Sequence, residues 1–109
     1  MKAMVTREGD KAFSDVGGGA ERRVLAYSPQ LMLVEVRFAA GGVGAEHTHP
    51  QAQSTYVKSG RFRFRAGDDT VEVGPGDTLA FPPNLRHGVV CLEAGTLIDA
   101  FTPMREDFL

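Results

Sequence analysis

The chain has 109 residues, 42% hydrophobic and 24% charged, with a net charge of −2. That is the size and make-up of one ordinary globular domain. Lys and Arg are scattered without a basic patch, which excludes nucleic acid as a partner, and no apolar run is long enough for a signal peptide or a membrane helix.

The reading so far is of a cytoplasmic protein with no membrane partner. The lone cysteine, Cys91, allows no internal disulfide and fits a reducing compartment. Thirteen glycines and six prolines punctuate the chain. Short alternating apolar runs lie between them, the pattern of an all-β barrel or sandwich.

Residues 1–20 carry the weakest signal. Gly17-Gly18-Gly19 reads as a flexible hinge. The segment before it reads as an arm, either packed on a partner subunit or loosely held. Residues 21–27 (ERRVLAY) form a short strand, and Ser28-Pro29-Gln30 a turn. Residues 31–38 (LMLVEVRF) give the clearest strand. Met32, Val34, Val36 and Phe38 share one face, with Glu35 and Arg37 on the other. A glycine-rich bend follows at residues 39–43.

Residues 54–58 resume an extended run, which Ser59-Gly60 turns. RFRFR at residues 61–65 places Phe62 and Phe64 inward and three arginines outward. A hairpin turn at residues 66–69 leads to a return strand with Val71 and Val73 inward. Pro75-Gly76-Asp77 is another turn, then residues 78–81 are extended. Pro82-Pro83-Asn84 forms a rigid loop. Along residues 87–92, His87, Val89 and Cys91 share a face, and Cys91 reads as a small buried hydrophobe. A turn at residues 93–95 opens the last strand, where Leu97, Asp99 and Phe101 share a face. An inward Asp99 is costly unless paired or functional. The tail TPMREDFL docks on the barrel and brings Arg105 near its mouth. The pattern sums to about nine to eleven strands.

Two of the three histidines, His47 and His49, stand one residue apart, and Gln53 follows. The three share parity, so an extended chain would turn them to one face. With His87 from a distant strand they make three nitrogens and one oxygen. That set suits one divalent transition ion, nickel or zinc first, with iron or manganese also compatible.

The spacing reads Gly41-x5-His47-x-His49-x3-Gln53-x6-Gly60, then Gly76-x5-Pro82-x-Asn84-x2-His87. It resembles the two-part signature of the cupin family. The resemblance implies a single cupin domain over 1–109, an antiparallel jelly-roll barrel with a metal in its mouth. The arm would be 1–20, the barrel 21–102 and the docked tail 103–109. Most cupins carry Glu where this chain has Gln53. A neutral ligand leaves the ion its full charge, a stronger Lewis acid and a poorer partner for high oxidation states. The second motif also departs, with Asn84 and Cys91 where Gly and Asn are usual.

A closer resemblance runs from about residue 24 to the end. LMLVEVRF, the HxHPxxQ run, PPNxRHG and TPMREDFL are similar to the KdgF-type cupins of pectin and alginate breakdown. It implies an enzyme, a metal-dependent, non-redox isomerase. The substrate would be a small 4,5-unsaturated monouronate, and the product its linear keto form. The metal would be held at His47, His49, Gln53 and His87, with catalysis at Asp99, Phe101 and Arg105. Asp99 would act as general acid–base and Arg105 would pair with the substrate carboxylate. Other roles remain open: core packing for Phe101, a tail ion pair to Glu106 or Asp107 for Arg105, orientation of a metal histidine for Asp99. Rival functions are a cupin dioxygenase and a non-enzymatic uronate-binding cupin. Exposed strand edges point to a homodimer.

Overall fold

Alternation decides which residues face inward. β3, Leu31–Phe38, is the expected strand, with Met32, Val34 and Phe38 buried and Arg37 exposed. The computed structural model describes residues 1–109. The strands are β1 Ser14–Gly17, β2 Ala20–Ser28, β3, β4 Val43–His47, β5 Ala52–Ala66, β6 Asp69–Val73, β7 Thr78–Phe81 and β8 His87–Thr102. A single 3-10 turn, Glu106–Phe108, follows. All pairings are antiparallel, in the order β1-β2-β3-β8-β5-β6, with β4 on β8 and β7 on β5. No helix is long and apolar enough to cross a membrane.

Eight strands replace the expected nine to eleven. The turns expected at residues 59–60 and 93–95 are bends inside β5 and β8. These two strands pair along their whole length, from Ala52 opposite Thr102 to Ala66 opposite His87. Register shifts between Val57 and Phe62 mark the bend. Gly60 has φ 81, and a Cβ at Gly95 would run into the Ser59 carbonyl. Glycine therefore lets the two strands cross closely while both change direction, and the ladder continues through it. One half of each strand pairs with β3 and β7, the other with β4 and β6.

Between the halves lies a core that includes Phe38, Val57, Phe62, Phe64, Cys91 and Leu97. Cys91 is the expected small buried hydrophobe. Val73 is buried, but Val71 is 44% exposed on β6, at the end of the strand order. A smaller cluster of Met32, Val34 and Phe101 packs against Met104 and Phe108. Met104 and Phe108 bring the tail onto this cluster, while Leu109 stays exposed.

The first twenty residues hold a strand, β1, and the three glycines make its tight hairpin with β2. Gly18 accepts a hydrogen bond from the Val43 N–H at 2.7 Å. The arm lies on its own barrel. Arg23 donates to the Glu8 and Lys11 carbonyls and to the Glu35 carboxylate, and its guanidinium sits over Phe13. That pairing explains how Glu35, on the outer face, is buried.

Candidate metal centre

His47 ends β4 and lies opposite His87, which begins β8. The chain does not stay extended from His47 to Gln53, so shared parity along one strand is not what brings these side chains together. The chain leaves β4 at Thr48, turns at Pro50 and re-enters the sheet at Ala52. Proline supplies no N–H for the ladder, so the strand breaks there. His49 is nonetheless placed, because its carbonyl accepts the Asn84 N–H at 2.9 Å. Asn84, at φ 66, shapes the Pro82–Pro83 loop that does this. The three imidazoles converge, each offering a nitrogen within 4.8 Å of the others.

Hydrogen bonding fixes the proton on each ring. Nδ1 of His47, His49 and His87 donates to the carbonyls of Ala45, Gln51 and Leu85, at 2.8, 3.1 and 2.8 Å. A carbonyl can only accept, so Nδ1 carries the hydrogen and Nε2 presents a lone pair. Burial pushes the pKa of His49 and of His87 down, which keeps both rings neutral.

Gln53 is oriented just as firmly. Its amide nitrogen donates to Thr55 Oγ1 at 3.0 Å and toward Asp99 Oδ1 at 3.4 Å. Its Oε1 therefore faces His49 Nε2, 2.9 Å away. Two lone pairs face each other with no proton between them. That arrangement suits a cation placed to accept both. Donors about 2.1 Å from one ion and at right angles to each other lie about 3 Å apart. The donor set of His47, His49, Gln53 and His87 thus fits a divalent transition ion.

Asp99 is buried, as its parity predicted. Thr55 donates to its Oδ1 at 2.6 Å, and Gln53 reaches the same oxygen. Oδ2 has no protein partner and keeps some access to the cavity. Burial pushes the carboxyl up to about 6, against the Thr55 and Gln53 hydrogen bonds and the Arg105 charge. Phe101 is buried and meets His49 edge-on, with ring centroids 5.5 Å apart. Arg105 gives its Nε and one terminal nitrogen to Asp107, at 3.1 and 2.9 Å. Its guanidinium lies over Phe108. The tail ion pair is therefore present, and Arg105 still lines the cavity.

That cavity, about 760 Å³, is bordered by His47, Gln53, His87, Asp99, Phe101 and Arg105. The volume is in the range of small-molecule sites. Three further residues were not singled out from the sequence. Thr55 shares Gln53's parity in β5 and anchors Asp99. Gln51 holds both the His49 ring and the Met104 carbonyl, and no sequence pattern marks it. Arg22 lines the cavity from β2, where it shares parity with Val24.

Comparison with known proteins agrees with this geometry. The family described as cupin domain matches residues 34–100. The pectin degradation protein KdgF of Dickeya dadantii strain 3937 is 38% identical over 99 residues, 89% of this chain and 90% of the relative. The structure of KdgF from Halomonas sp. superposes with a TM-score of 0.93 at 34% identity, covering 99% of this chain and 100% of the other. An RmlC-like cupin from Shewanella frigidimarina gives the same TM-score and identity, covering 99% and 97%.

Proposed function

The chain belongs to the cupin family and resembles its KdgF members, and on that footing we propose that it opens 4,5-unsaturated monouronates to their linear keto form. The observation that carries this reading is the link between the donor set and an acid–base group. Gln53 joins His49 to Asp99, and Gln53 and Asp99 line one cavity with His47 and His87. The KdgF of Dickeya dadantii is a pectin degradation protein, which supports a sugar acid released from pectin as the substrate class.

The substrate is a cyclic enol ether with a hemiacetal at C1. Linearisation removes the proton of the anomeric hydroxyl, makes the aldehyde at C1 and breaks the bond from C1 to the ring oxygen. The ring oxygen becomes the enol oxygen on C5. A proton delivered to C4 then gives the C5 ketone. Atoms balance with no redox change. A divalent ion, nickel or zinc ahead of iron or manganese, would be held by His47, His49, Gln53 and His87 and would supply Lewis acidity toward substrate oxygens.

In this reading Asp99 is the general acid–base. Its Oδ1 is held by Thr55 and Gln53, so Oδ2 is the oxygen left to take the anomeric proton and to supply one to C4. Phe101 forms an apolar wall beside His49 and keeps water from the reacting carbon. Arg105 pairs with the substrate carboxylate through the N–H groups that Asp107 leaves free.

The test is a proton NMR time course on unsaturated monouronate freshly released by a lyase. Metal-loaded protein should speed loss of the C4 vinyl signal, with or without oxygen. Metal-stripped protein should match the protein-free blank, because the ring also opens unaided. Equal rates in all three samples would remove the assigned substrate.

A further inference from the structure

Arg22 is an arginine on the wrong face of its strand. In β2 it shares parity with Ala20 and Val24, and it stands opposite Val36, whose side chain faces inward on β3. Of the two arginines at the mouth, Arg105 is neutralised by Asp107. Arg22 is not, and none of the ion pairs includes it. Its guanidinium carbon lies 3.6 Å from the centroid of the Phe108 ring. No side-chain hydrogen bond or ion pair engages its N–H donors, which a contact to the ring face leaves available.

The charges around it do not satisfy it. Burial disfavours the Arg22 cation, the Arg105 charge adds to that, and Asp107, which favours it, already serves Arg105. Asp99 on β8 lines the same cavity but is held by Thr55 and Gln53. A guanidinium does not give up its proton, so an uncompensated one beside a cavity calls for an anion.

We propose that Arg22 is a substrate-positioning residue, a second fork that receives the carboxylate of the sugar acid beside the N–H groups Asp107 leaves free on Arg105, and that makes the cavity select acids over neutral sugars. The proposal rests on the uronate reading and names the group that recognises the acid. A planar fork takes both oxygens of a carboxylate at once. Phe108 fixes the fork in position before the ligand arrives. Arg22 thereby holds the acid end while C4 meets Asp99.

Calorimetric titration of the zinc- or nickel-loaded full chain with galacturonate and with galactose tests this. Galacturonate is stable and differs from galactose by its carboxylate. The wild type should prefer galacturonate at least about tenfold. Arg22→Met should remove that preference with metal content unchanged, and Arg22→Lys should restore part of it. Should the Met variant fold poorly, Arg22→Gln takes its place. On unsaturated monouronate the Met variant should raise KM about tenfold and leave kcat within about threefold.

A variant that keeps the preference overturns the proposal. So does a wild type without one, or equal weakening toward both sugars, which would mark a purely tail-packing role. The two readings fail separately. An Arg22-dependent preference without turnover of the unsaturated sugar leaves Arg22 standing and removes the reaction. Turnover with KM unmoved by Arg22→Met removes Arg22 and leaves the reaction.

Discussion

Asp99 owes its character to its position on β8, between Leu97 and Phe101 on the buried face. It reaches Gln53 only through the amide nitrogen, on the side away from His49. Asp99→Ala should therefore abolish turnover, at least a hundredfold, while metal content by atomic absorption stays that of the wild type. Lost metal with the fold retained would instead make Asp99 a group that orients the donor set. Cys91 offers a second test at this scale. Burial raises its thiol pKa, against the backbone hydrogen bond from Gly95, so less thiolate forms at a given pH. Iodoacetamide at pH 8 should leave the native thiol unmodified and react once urea unfolds the chain. Rapid labelling of the native protein would contradict the buried placement. The donor residues were legible because few residue types bind metals and their spacing is unusual. Arg22 was hidden in plain alternation: ERRVLAY places it with Val24 and Ala26, but Leu25 and Tyr27 make the other parity equally apolar, so neither face reads as the inner one. Gln51 acts through hydrogen bonds that only the folded loop creates, and Thr55 through one that only the pairing of β5 with β8 creates.

At the scale of elements, alternation identified LMLVEVRF to the residue and the inward face of RFRFR, because each has one buried face. The same logic split β5 and β8 at their glycines, since Gly in a strand and Gly in a turn look alike locally. What separates them is long-range pairing, here Ser59 opposite Thr96 and Arg61 opposite Glu93. β1 escaped because its partner lies across a three-glycine hairpin and all four of its residues are exposed. The bend makes a definite prediction. Gly95→Ala puts a methyl group into the Ser59 carbonyl, and neither strand can yield without shifting the other. The variant should lose about 2–4 kcal/mol by urea unfolding. Gly41→Ala is the useful comparison. Its φ of 80 is positive, unlike that of Gly95, but nothing lies within 4 Å of its added Cβ, so it should cost less, about 1 kcal/mol. A loss at Gly95 no larger than that at Gly41 would mean that the strand crossing yields to the added methyl group.

For the molecule as a whole, the order of strands leaves β1 and β6 at its ends, each with one neighbour. We propose a homodimer on that ground, since free edges invite pairing. Light scattering at micromolar concentration that returns the mass of one chain would remove it. The donor set bears on stability more directly. His47 closes β4, His49 sits in the loop after it, Gln53 opens β5 and His87 opens β8. An ion held by all four would tie three strands at one end of the barrel, and the unfolded chain cannot present these donors together. Its binding energy thus adds to folding. At a free metal concentration a thousandfold above Kd the gain is about 4 kcal/mol. Stripping the protein with a chelator should lower Tm by about 10 °C or more, given a chain near 100 residues. Adding nickel or zinc back should restore it. His87→Ala should keep the fold, melt near the stripped protein and show no response to either ion. A wild type whose Tm ignores metal would separate the convergence of the imidazoles from metal binding. It would leave the facing lone pairs of His49 and Gln53 without a partner.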